Sequence, residues 1–215
     1  MALVVRDLGR LEYGRALAQQ EDCLAARIAD QIPDQLFLVE HDPVYTLGRG
    51  ADAAELCGAD VRLGVPAFRV SRGGGVTFHG PGQLVAYPII KLGRAGRDVH
   101  RYMRQLEEVI IRTCADFGVA AERRAGATGV WVGEAKIASI GVGVRRWVTF
   151  HGLALNISTD LSFFRAIVPC RMPALEMTSM AELVAEAPTL PQAGATLSTR
   201  FRELFEGKTP AEVAA

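Results

Sequence analysis

Residues 129–157 read GVWVGEAKIASIGVGVRRWVTFHGLALNI, and this stretch decides the fold class. Apolar runs rich in β-forming residues follow one another here, at residues 129–132, 136–144 and 149–157. The segments between them are short, whereas a helical crossover between parallel strands needs about a dozen residues or more. The stretch therefore predicts adjacent antiparallel strands, with the pair Arg145-Arg146 in the hairpin turn between the last two.

Shorter strands are predicted upstream of this block. The runs with strand-like composition lie at residues 3–8, 35–40, 68–71 and 83–92. The polar stretch at residues 41–50 is interpreted as a loop because it contains Pro43, Gly48 and Gly50.

Three helices are predicted from apolar residues at helical spacing. The first starts at Tyr13 and ends at Pro33, and the second begins near Asp98 and stops at Gly118. The third follows a surface connection at residues 185–195 and stops at Gly207. Together these elements predict an α/β (α+β) fold with a mixed, largely antiparallel sheet flanked by helices. We expect one domain over residues 1–208 and a frayed tail at residues 209–215.

Composition narrows the class of protein without identifying a chemistry. With 215 residues, 49% of them hydrophobic, the chain can bury one sizeable core. Basic and acidic residues balance at 24 each, which argues against nucleic acid or a membrane as partner. No basic start with a following apolar run and no stretch of about 20 apolar residues is found, so we expect a cytoplasmic protein.

Residues 72–87, RGGGVTFHGPGQLVAY, have the composition of a binding segment. Three successive glycines let a ligand lie directly against the main chain. His79 and Gln83 add polar groups at the edge of that surface. A non-catalytic phosphate-binding or scaffold module is one alternative, although this segment lacks both the Gly-Lys-Ser/Thr of a P-loop and the Gly-x-Gly-x-x-Gly of a dinucleotide site.

Of the four cysteines, Cys170 is the candidate nucleophile. It starts a loop after Pro169 and precedes Arg171, and a neighbouring cation lowers a thiol pKa. Cys23 and Cys114 lie on apolar helix stripes and Cys57 has no distinguishing feature. Their irregular spacing indicates neither a zinc site nor a disulfide framework. An unreactive Cys170 is the ordinary alternative on local sequence alone.

Lys136 is the second candidate, because it lies between apolar neighbours in the stretch GEAKIASIG at residues 133–141. A lysine buried among apolar residues needs a functional partner. A surface lysine at a strand end is the ordinary alternative.

The spacing Arg-Gly-Gly-x-x-Thr-x-His-x-x-Gly-Gln-x-x-x-Tyr in residues 72–87 resembles the signature of the octanoyltransferases of lipoate biosynthesis, with every defined position filled. Lys136-Ile137-Ala138-x-x-Gly141 is similar to a second family motif, and Pro169-Cys170 is similar to the family's Pro-Cys loop. The family usually has Gly and then an aliphatic residue after the cysteine, whereas this chain has Arg171 and Met172.

The resemblance implies a fold similar to the catalytic domain of biotin and lipoate protein ligases. It also implies transfer of an octanoyl group from acyl carrier protein to a lipoyl-domain lysine through a thioester on Cys170, with Lys136 beside the thiol. The implied substrate-binding residues are Arg72, Gly73, Gly74, Gly75, Val76, Thr77, Phe78, His79, Ser139, Ile140, Gly141, Gly152, Leu153 and Ala154.

The implied partners are acyl carrier protein, the lipoyl domains of 2-oxoacid dehydrogenase E2 subunits and the glycine cleavage H protein. No cofactor or metal is expected, since the acyl group arrives on the phosphopantetheine arm of the carrier. The basic pairs Arg123-Arg124 and Arg145-Arg146 are candidate docking residues for an acidic carrier.

Some alternatives stay open within this resemblance. The residue that takes the proton of the attacking lysine amine is either Lys136 or, through a water, His79. His151 is interpreted as a satisfied sheet histidine, and Gly141 and Gly152, taken alone, as strand bulges. An ATP-dependent lipoate or biotin protein ligase of the same fold is the alternative function.

Overall fold

The computed structural model describes residues 3–93, 97–169 and 175–206. Its strands are β1 (Val4–Arg10), β2 (Gln35–Glu40), β3 (Val44–Leu47), β4 (Ala67–Arg69), β5 (Val76–His79), β6 (Gln83–Ile89), β7 (Glu122–Arg124), β8 (Ala127–Val132), β9 (Ala135–Arg145) and β10 (Val148–Asn156). Its helices are α1 (Tyr13–Ile28), α2 (Ala59–Leu63), α3 (Val99–Asp116), α4 (Ser162–Arg165), α5 (Met180–Leu183) and α6 (Leu190–Glu206), with a 3-10 turn at Ala53–Leu56.

The main sheet has seven strands in the order β1-β2-β6-β10-β9-β8-β7. Only the edge pair β1 and β2 is parallel, and the other neighbours are antiparallel. A smaller sheet has the order β4-β3-β5. The predicted mixed, largely antiparallel sheet with flanking helices is confirmed. None of the described helices is long and apolar enough to cross a bilayer.

The hairpin between β9 and β10 forms where the sequence predicts it. Arg145 pairs with Val148, so Arg146 and Trp147 make a two-residue loop. Both loop residues have positive φ angles, 49° and 63°. Two positive φ angles are the signature of a type I′ turn, whose twist matches that of the flanking strands.

Two predicted helix boundaries are wrong. α1 ends at Ile28 rather than at Pro33, because Asp30 adopts a left-handed φ of 56° and its carboxylate accepts a hydrogen bond from Arg27. α6 begins at Leu190, inside the segment interpreted as a surface connection. Pro191 is tolerated there because the first turn of a helix has no intrahelical partner for its N–H groups.

Three short strands are missing from the sequence prediction. β3 lies within the predicted loop 41–50, β5 lies within the glycine-rich segment, and β7 precedes the strand block. β3 and β5 are entirely buried and pair with each other, so their sequences show no alternation of apolar and polar residues.

The two faces of the main sheet are covered differently. α3 and α6 pack on one face, where Leu106, Ile110 and Phe201 contact the strands in the largest hydrophobic cluster. α1 packs on the other face through residues that include Cys23 and Leu24. The small sheet and α4 share a third cluster. The sheet thus separates a large helical core from a second face, which α1 and the small sheet cover.

We expect Phe201→Ala to lower the free energy of unfolding by about 3–5 kcal/mol, because it empties a site in the main core that has no solvent exposure. Leu183→Ala, at a position 39% exposed, should change it by less than about 0.5 kcal/mol. Urea unfolding of both variants measures the difference. Equal losses would show that α6 does not anchor the core.

Candidate active site

A cavity lies against β6, β10 and β9 on the face of the sheet that α1 covers. Its empty volume is about 480 Å³, part of which is open to solvent. Most of the predicted binding residues line it. The glycine-rich segment and β5 contribute Arg72, Gly74, Gly75, Val76, Thr77 and His79. β9 contributes Ser139, Ile140 and Gly141, and β10 contributes Gly152, Leu153 and Ala154.

Gly73 and Phe78 are the predicted binding residues that do not line the cavity. Gly73 donates its backbone N–H to the carbonyl of Val142, at 2.9 Å, and so holds the glycine segment against β9. Phe78 lies on the opposite side of β5 from its neighbours Thr77 and His79. Its ring stacks on Phe163, with centroids 4.5 Å apart, in the third cluster.

Sequence reasoning missed four residues of the cavity wall, which are Tyr13, Val85, Tyr87 and His151. Tyr87 ends the motif of residues 72–87 and lies on the same strand face as Val85, so strand periodicity could have found both. Tyr13 looks like an ordinary core residue at the start of a helix, and nothing in the sequence distinguishes it.

Gly141 and Gly152 allow close approach and do not form bulges. They pair directly with each other across β9 and β10, in unbroken register. A Cβ atom on Gly152 would lie 2.2 Å from the carbonyl oxygen of Ala86. One on Gly141 would lie 2.9 Å from Cδ of Arg72. The interpretation of these glycines as bulges is therefore wrong.

The buried guanidinium of Arg72 organises one wall of the cavity. It donates to the carbonyl and the hydroxyl oxygen of Thr46, at 2.7 and 2.8 Å, and to the carbonyl of Gly73, at 2.9 Å. A Cβ atom on Gly48 would lie 2.8 Å from Nη1. Gly48 and Gly141 thus leave the space that this side chain fills.

His79 is a neutral, fully hydrogen-bonded side chain. Nε2 of Gln83 donates to the carbonyl of Phe78 and to Asn156, so Oε1 of Gln83 accepts from Nδ1 of His79, at 2.8 Å. Nε2 of His79 then accepts from the hydroxyl of Thr46, at 3.3 Å. Burial, reinforced by the nearby His41, lowers the pKa of His79 to about 3. Both ring nitrogens are engaged, so His79 is poorly placed to take up a proton.

Lys136 is a buried residue, with 3% exposure, so the alternative of a surface lysine is wrong. It pairs across the strands with Trp131, and its Nζ lies 5.3 Å from the centroid of that indole ring. A Cβ atom on Gly129 would lie 2.4 Å from Cε of Lys136. The missing side chain of Gly129 therefore makes room for the lysine.

A β-bulge sets the direction of Lys136. Trp131 pairs with Lys136, but the preceding Val130 pairs with Ala138, which leaves Ile137 as an extra residue on β9. Because side chains alternate along a strand, one extra residue reverses the parity beyond it. Lys136 consequently shares a sheet face with Ser139 and Gly141, although these residues are three and five positions further along the strand, where simple alternation would place them on the opposite face.

The predicted nucleophile, Cys170, lies outside the described residues. The chain that follows it returns to Lys136, whose N–H donates to the carbonyl of Glu176, at 2.8 Å. The carbonyl of Lys136 accepts from the N–H of Thr178, at 3.0 Å. The segment six to eight residues after Cys170 is thus hydrogen-bonded to the backbone of the candidate lysine.

The other three cysteines do not have the features of a nucleophile in the described part of the chain. Burial raises the pKa of Cys114 to about 12 and that of Cys23 to about 11, so both thiols stay protonated at neutral pH. Cys57 is exposed at the end of the 3-10 turn. These two high pKa values agree with the predicted packing role of the helix cysteines.

Comparison of the sequence with known proteins identifies a family and several relatives. Residues 12–202 match the family described as lipoyl protein ligase A/B catalytic domain. An octanoyltransferase of Geobacter metallireducens is 48% identical over 208 residues, which cover 97% of this chain and 96% of the relative. An octanoyltransferase of Solibacter usitatus is 48% identical over 205 residues, which cover 94% and 92%.

Solved structures with the same fold include ligases. A putative lipoate protein ligase from T. acidophilum superposes with a TM-score of 0.76 at 17% identity, covering 96% of this chain and 86% of that one. Lipoate-protein ligase A bound with ATP gives 0.72 at 17% identity, covering 95% and 85%. The biotin protein ligase from Aquifex aeolicus gives 0.55 at 10% identity, covering 94% and 72%.

These likenesses confirm the predicted ligase-like fold. At such identities they show the fold alone, whereas the sequence relatives also show the kind of enzyme. The chain belongs to the octanoyltransferases, acyltransferases of the lipoyl protein ligase A/B catalytic-domain family.

Proposed function

We propose that this enzyme takes an octanoyl group from acyl carrier protein, holds it as a thioester on Cys170, and passes it to a specific lysine of a lipoyl domain. The observation that carries the proposal is the position of Lys136. It is a buried lysine, turned by a bulge onto the cavity face of the sheet and hydrogen-bonded to the chain that follows Cys170.

The cavity is suited to an apolar chain of medium length. Its walls combine backbone and small side chains on β9 and β10 with the side chains of Val85, Tyr13 and Tyr87. Burying about six methylene groups contributes ~5 kcal/mol at ~0.8 kcal/mol each. That free energy is sufficient to hold an octanoyl group, while each carbon adds little discrimination.

In the first half-reaction the thiolate of Cys170 attacks the thioester carbonyl, the old C–S bond breaks, and the pantetheine leaves as a thiol with the proton that the Lys136 ammonium gives up, so that Lys136 becomes neutral. An ammonium group beside a thiol favours the thiolate, which is the nucleophilic form. Lys136 is assigned this role. One thioester replaces another, so no nucleotide is needed and no cofactor is proposed.

In the second half-reaction the amine of the target lysine attacks the acyl-Cys170 carbonyl, the C–S bond breaks so that Cys170 leaves as a thiolate, and the attacking nitrogen loses a proton to the Lys136 amine that the first half-reaction left neutral. Lys136 is the proposed acceptor, since the hydrogen bonds and low pKa of His79 make that residue unsuitable. Because the acyl group stays on the enzyme between the two steps, the two carrier proteins use the site in turn.

The proposed partners are acyl carrier protein, the lipoyl domains of 2-oxoacid dehydrogenase E2 subunits and the glycine cleavage H protein, all in the cytoplasm. Neither nucleic acid nor a membrane is proposed as a partner. Arg123 is a poor docking candidate because it forms ion pairs with the buried Glu107 and with Glu108. Arg124 lies over the ring of Trp131, 4.2 Å from its centroid, and pairs with the exposed Glu134. Arg145 pairs with Glu21 at a mostly exposed site, where an ion pair is weak.

An ATP-dependent ligase is the second candidate, because a solved structure of this fold is a lipoate-protein ligase bound with ATP. Such an enzyme activates the acid as an acyl-adenylate and needs no cysteine. ATP-dependent acylation of a lipoyl domain by a Cys170→Ser variant at the full wild-type rate would favour it.

Cys170→Ala should abolish both the octanoyl adduct and the transfer. Intact-mass spectrometry after mixing the enzyme with octanoyl-carrier measures the adduct, and peptide mapping locates it. Cys114→Ala is the matched control, since its buried thiol has a pKa of about 12 and should affect stability alone. An adduct on Cys57 would rule out Cys170 as the nucleophile.

Lys136→Met should slow acylation by about 10²-fold or more while the protein stays folded. The methionine keeps the apolar stem and removes the ammonium group. The rate of thiol alkylation as a function of pH should shift to higher pH, because the thiolate loses its cation. An unchanged profile would remove Lys136 from this role.

Replacing Arg145 and Arg146 together with Glu should raise the KM for octanoyl-carrier severalfold, mainly at low ionic strength, because steering of an acidic carrier is electrostatic. Transfer from a short octanoyl-pantetheine thioester serves as the control and should be nearly unchanged. Equal losses on both substrates would exclude this hairpin as a docking site.

A further inference from the structure

The backbone of His151 is strained in the middle of a strand. Its φ is 54°, the left-handed region that a non-glycine residue rarely adopts. The other described non-glycine residues with positive φ lie in turns or at helix ends, away from any strand interior. Strain of this kind persists where the surrounding structure imposes it, and it is concentrated at functional sites.

This strain turns the imidazole towards the cavity. Strand alternation would place His151 with Leu153 and Leu155, whose side chains belong to the cluster under α3 and α6. Its ring instead lies 6.5 Å from that of Tyr87 and 4.9 Å from that of Phe150, both in the cluster on the other face. His151 also lines the cavity.

His151 marks the end of the cavity farthest from Lys136 along the β9–β10 pair. The lining begins at Ala154, which pairs with Ser139, and ends at His151, which pairs with Val142. Three residues of strand span about 10 Å. That length is comparable with an extended eight-carbon chain.

Beyond His151, the space above the β9–β10 pair is filled by a side chain. A Cβ atom on Gly143 would lie 2.4 Å from the ring of Phe150, so this ring occupies the space above the glycine. His151 and Phe150 together close the trough that Gly141 and Gly152 leave open.

The closed end is polar. Nε2 of His151 and Nε2 of Gln20 are both buried and have no hydrogen-bond partner among the residues that the structure describes. Oε1 of Gln20 accepts from the backbone N–H of His151, at 3.0 Å, so the Gln20 side chain holds the strained backbone of His151 in place. Burial, with a smaller effect of Arg72, lowers the pKa of His151 to about 4, and the ring is neutral. The expectation of a satisfied sheet histidine is wrong.

We propose that His151, held by Gln20, is the end stop of the acyl cavity and limits the substrate to chains of about eight carbons. A longer chain would have to displace the imidazole and lay methylene groups against polar atoms that need hydrogen-bond partners. The proposal rests on the proposed function, in which the octanoyl chain occupies this cavity.

The test compares kcat/KM for octanoyl-, decanoyl- and dodecanoyl-pantetheine thioesters in the first half-reaction. His151→Gly should raise the decanoyl-to-octanoyl ratio about tenfold, because room for two more methylenes becomes available. Glycine accepts the left-handed backbone without strain, so the variant should fold. His151→Asn, which also tolerates this conformation, should give a smaller rise.

Val85→Ala is the matched control, since it enlarges the side wall and leaves the end stop in place; its ratio should stay within about twofold of the wild type. An unchanged ratio in both His151 variants, with the octanoyl adduct still formed on Cys170, would overturn the end stop alone. If the wild-type enzyme forms no octanoyl adduct on Cys170, the proposed function fails and the end stop with it.

Discussion

One extra residue in β9 determines which face of the main sheet carries Lys136. Without Ile137 as a bulge, alternation would place Lys136 on the face packed by α3 and α6, among Leu and Ile side chains. Burying an ammonium group in such surroundings costs free energy. Either the group would lose its charge, or the strand would be displaced from the sheet. The bulge instead sets Lys136 beside Trp131, over the bare backbone of Gly129. The position of the lysine is therefore a property of the strand register, which the pairing of β8 with β9 fixes.

A chain of directed hydrogen bonds connects the wall of the cavity to this lysine. It runs from Arg72 through side chains of the two sheets to the segment beside β9, in the order Arg72, Thr46, His79, Gln83, Asn156, Thr178 and Lys136. Each side chain in it uses a defined donor or acceptor, which fixes the tautomer of His79. A fully satisfied buried network of this kind rigidifies its surroundings and selects one arrangement of the parts it joins.

Local patterns were sufficient to predict a large part of this architecture. The strand at residues 35–40, the β9–β10 hairpin and the helix between Asp98 and Gly118 are encoded by neighbouring residues, and all three form as expected. β3 and β5 could not be predicted this way, since strands of four residues form here by pairing within the small sheet, β3 with both β4 and β5. The bulge at Ile137 and the left-handed backbone of His151 also leave no signal in the sequence, because neither occurs at a glycine, the residue that usually marks such conformations. Both are imposed by tertiary packing.

The main sheet also separates the largest hydrophobic core from the cavity. The largest hydrophobic cluster lies on its α3 and α6 face, while the cavity lies on its other face. Substitutions at wall residues on the cavity face, such as Val85 and Ala154, therefore alter few of the contacts that hold the largest core together. Such a division gives the cavity side freedom to change shape by single substitutions while the fold keeps most of its stability. A fold built in this way can acquire new acyl preferences without first acquiring extra stability.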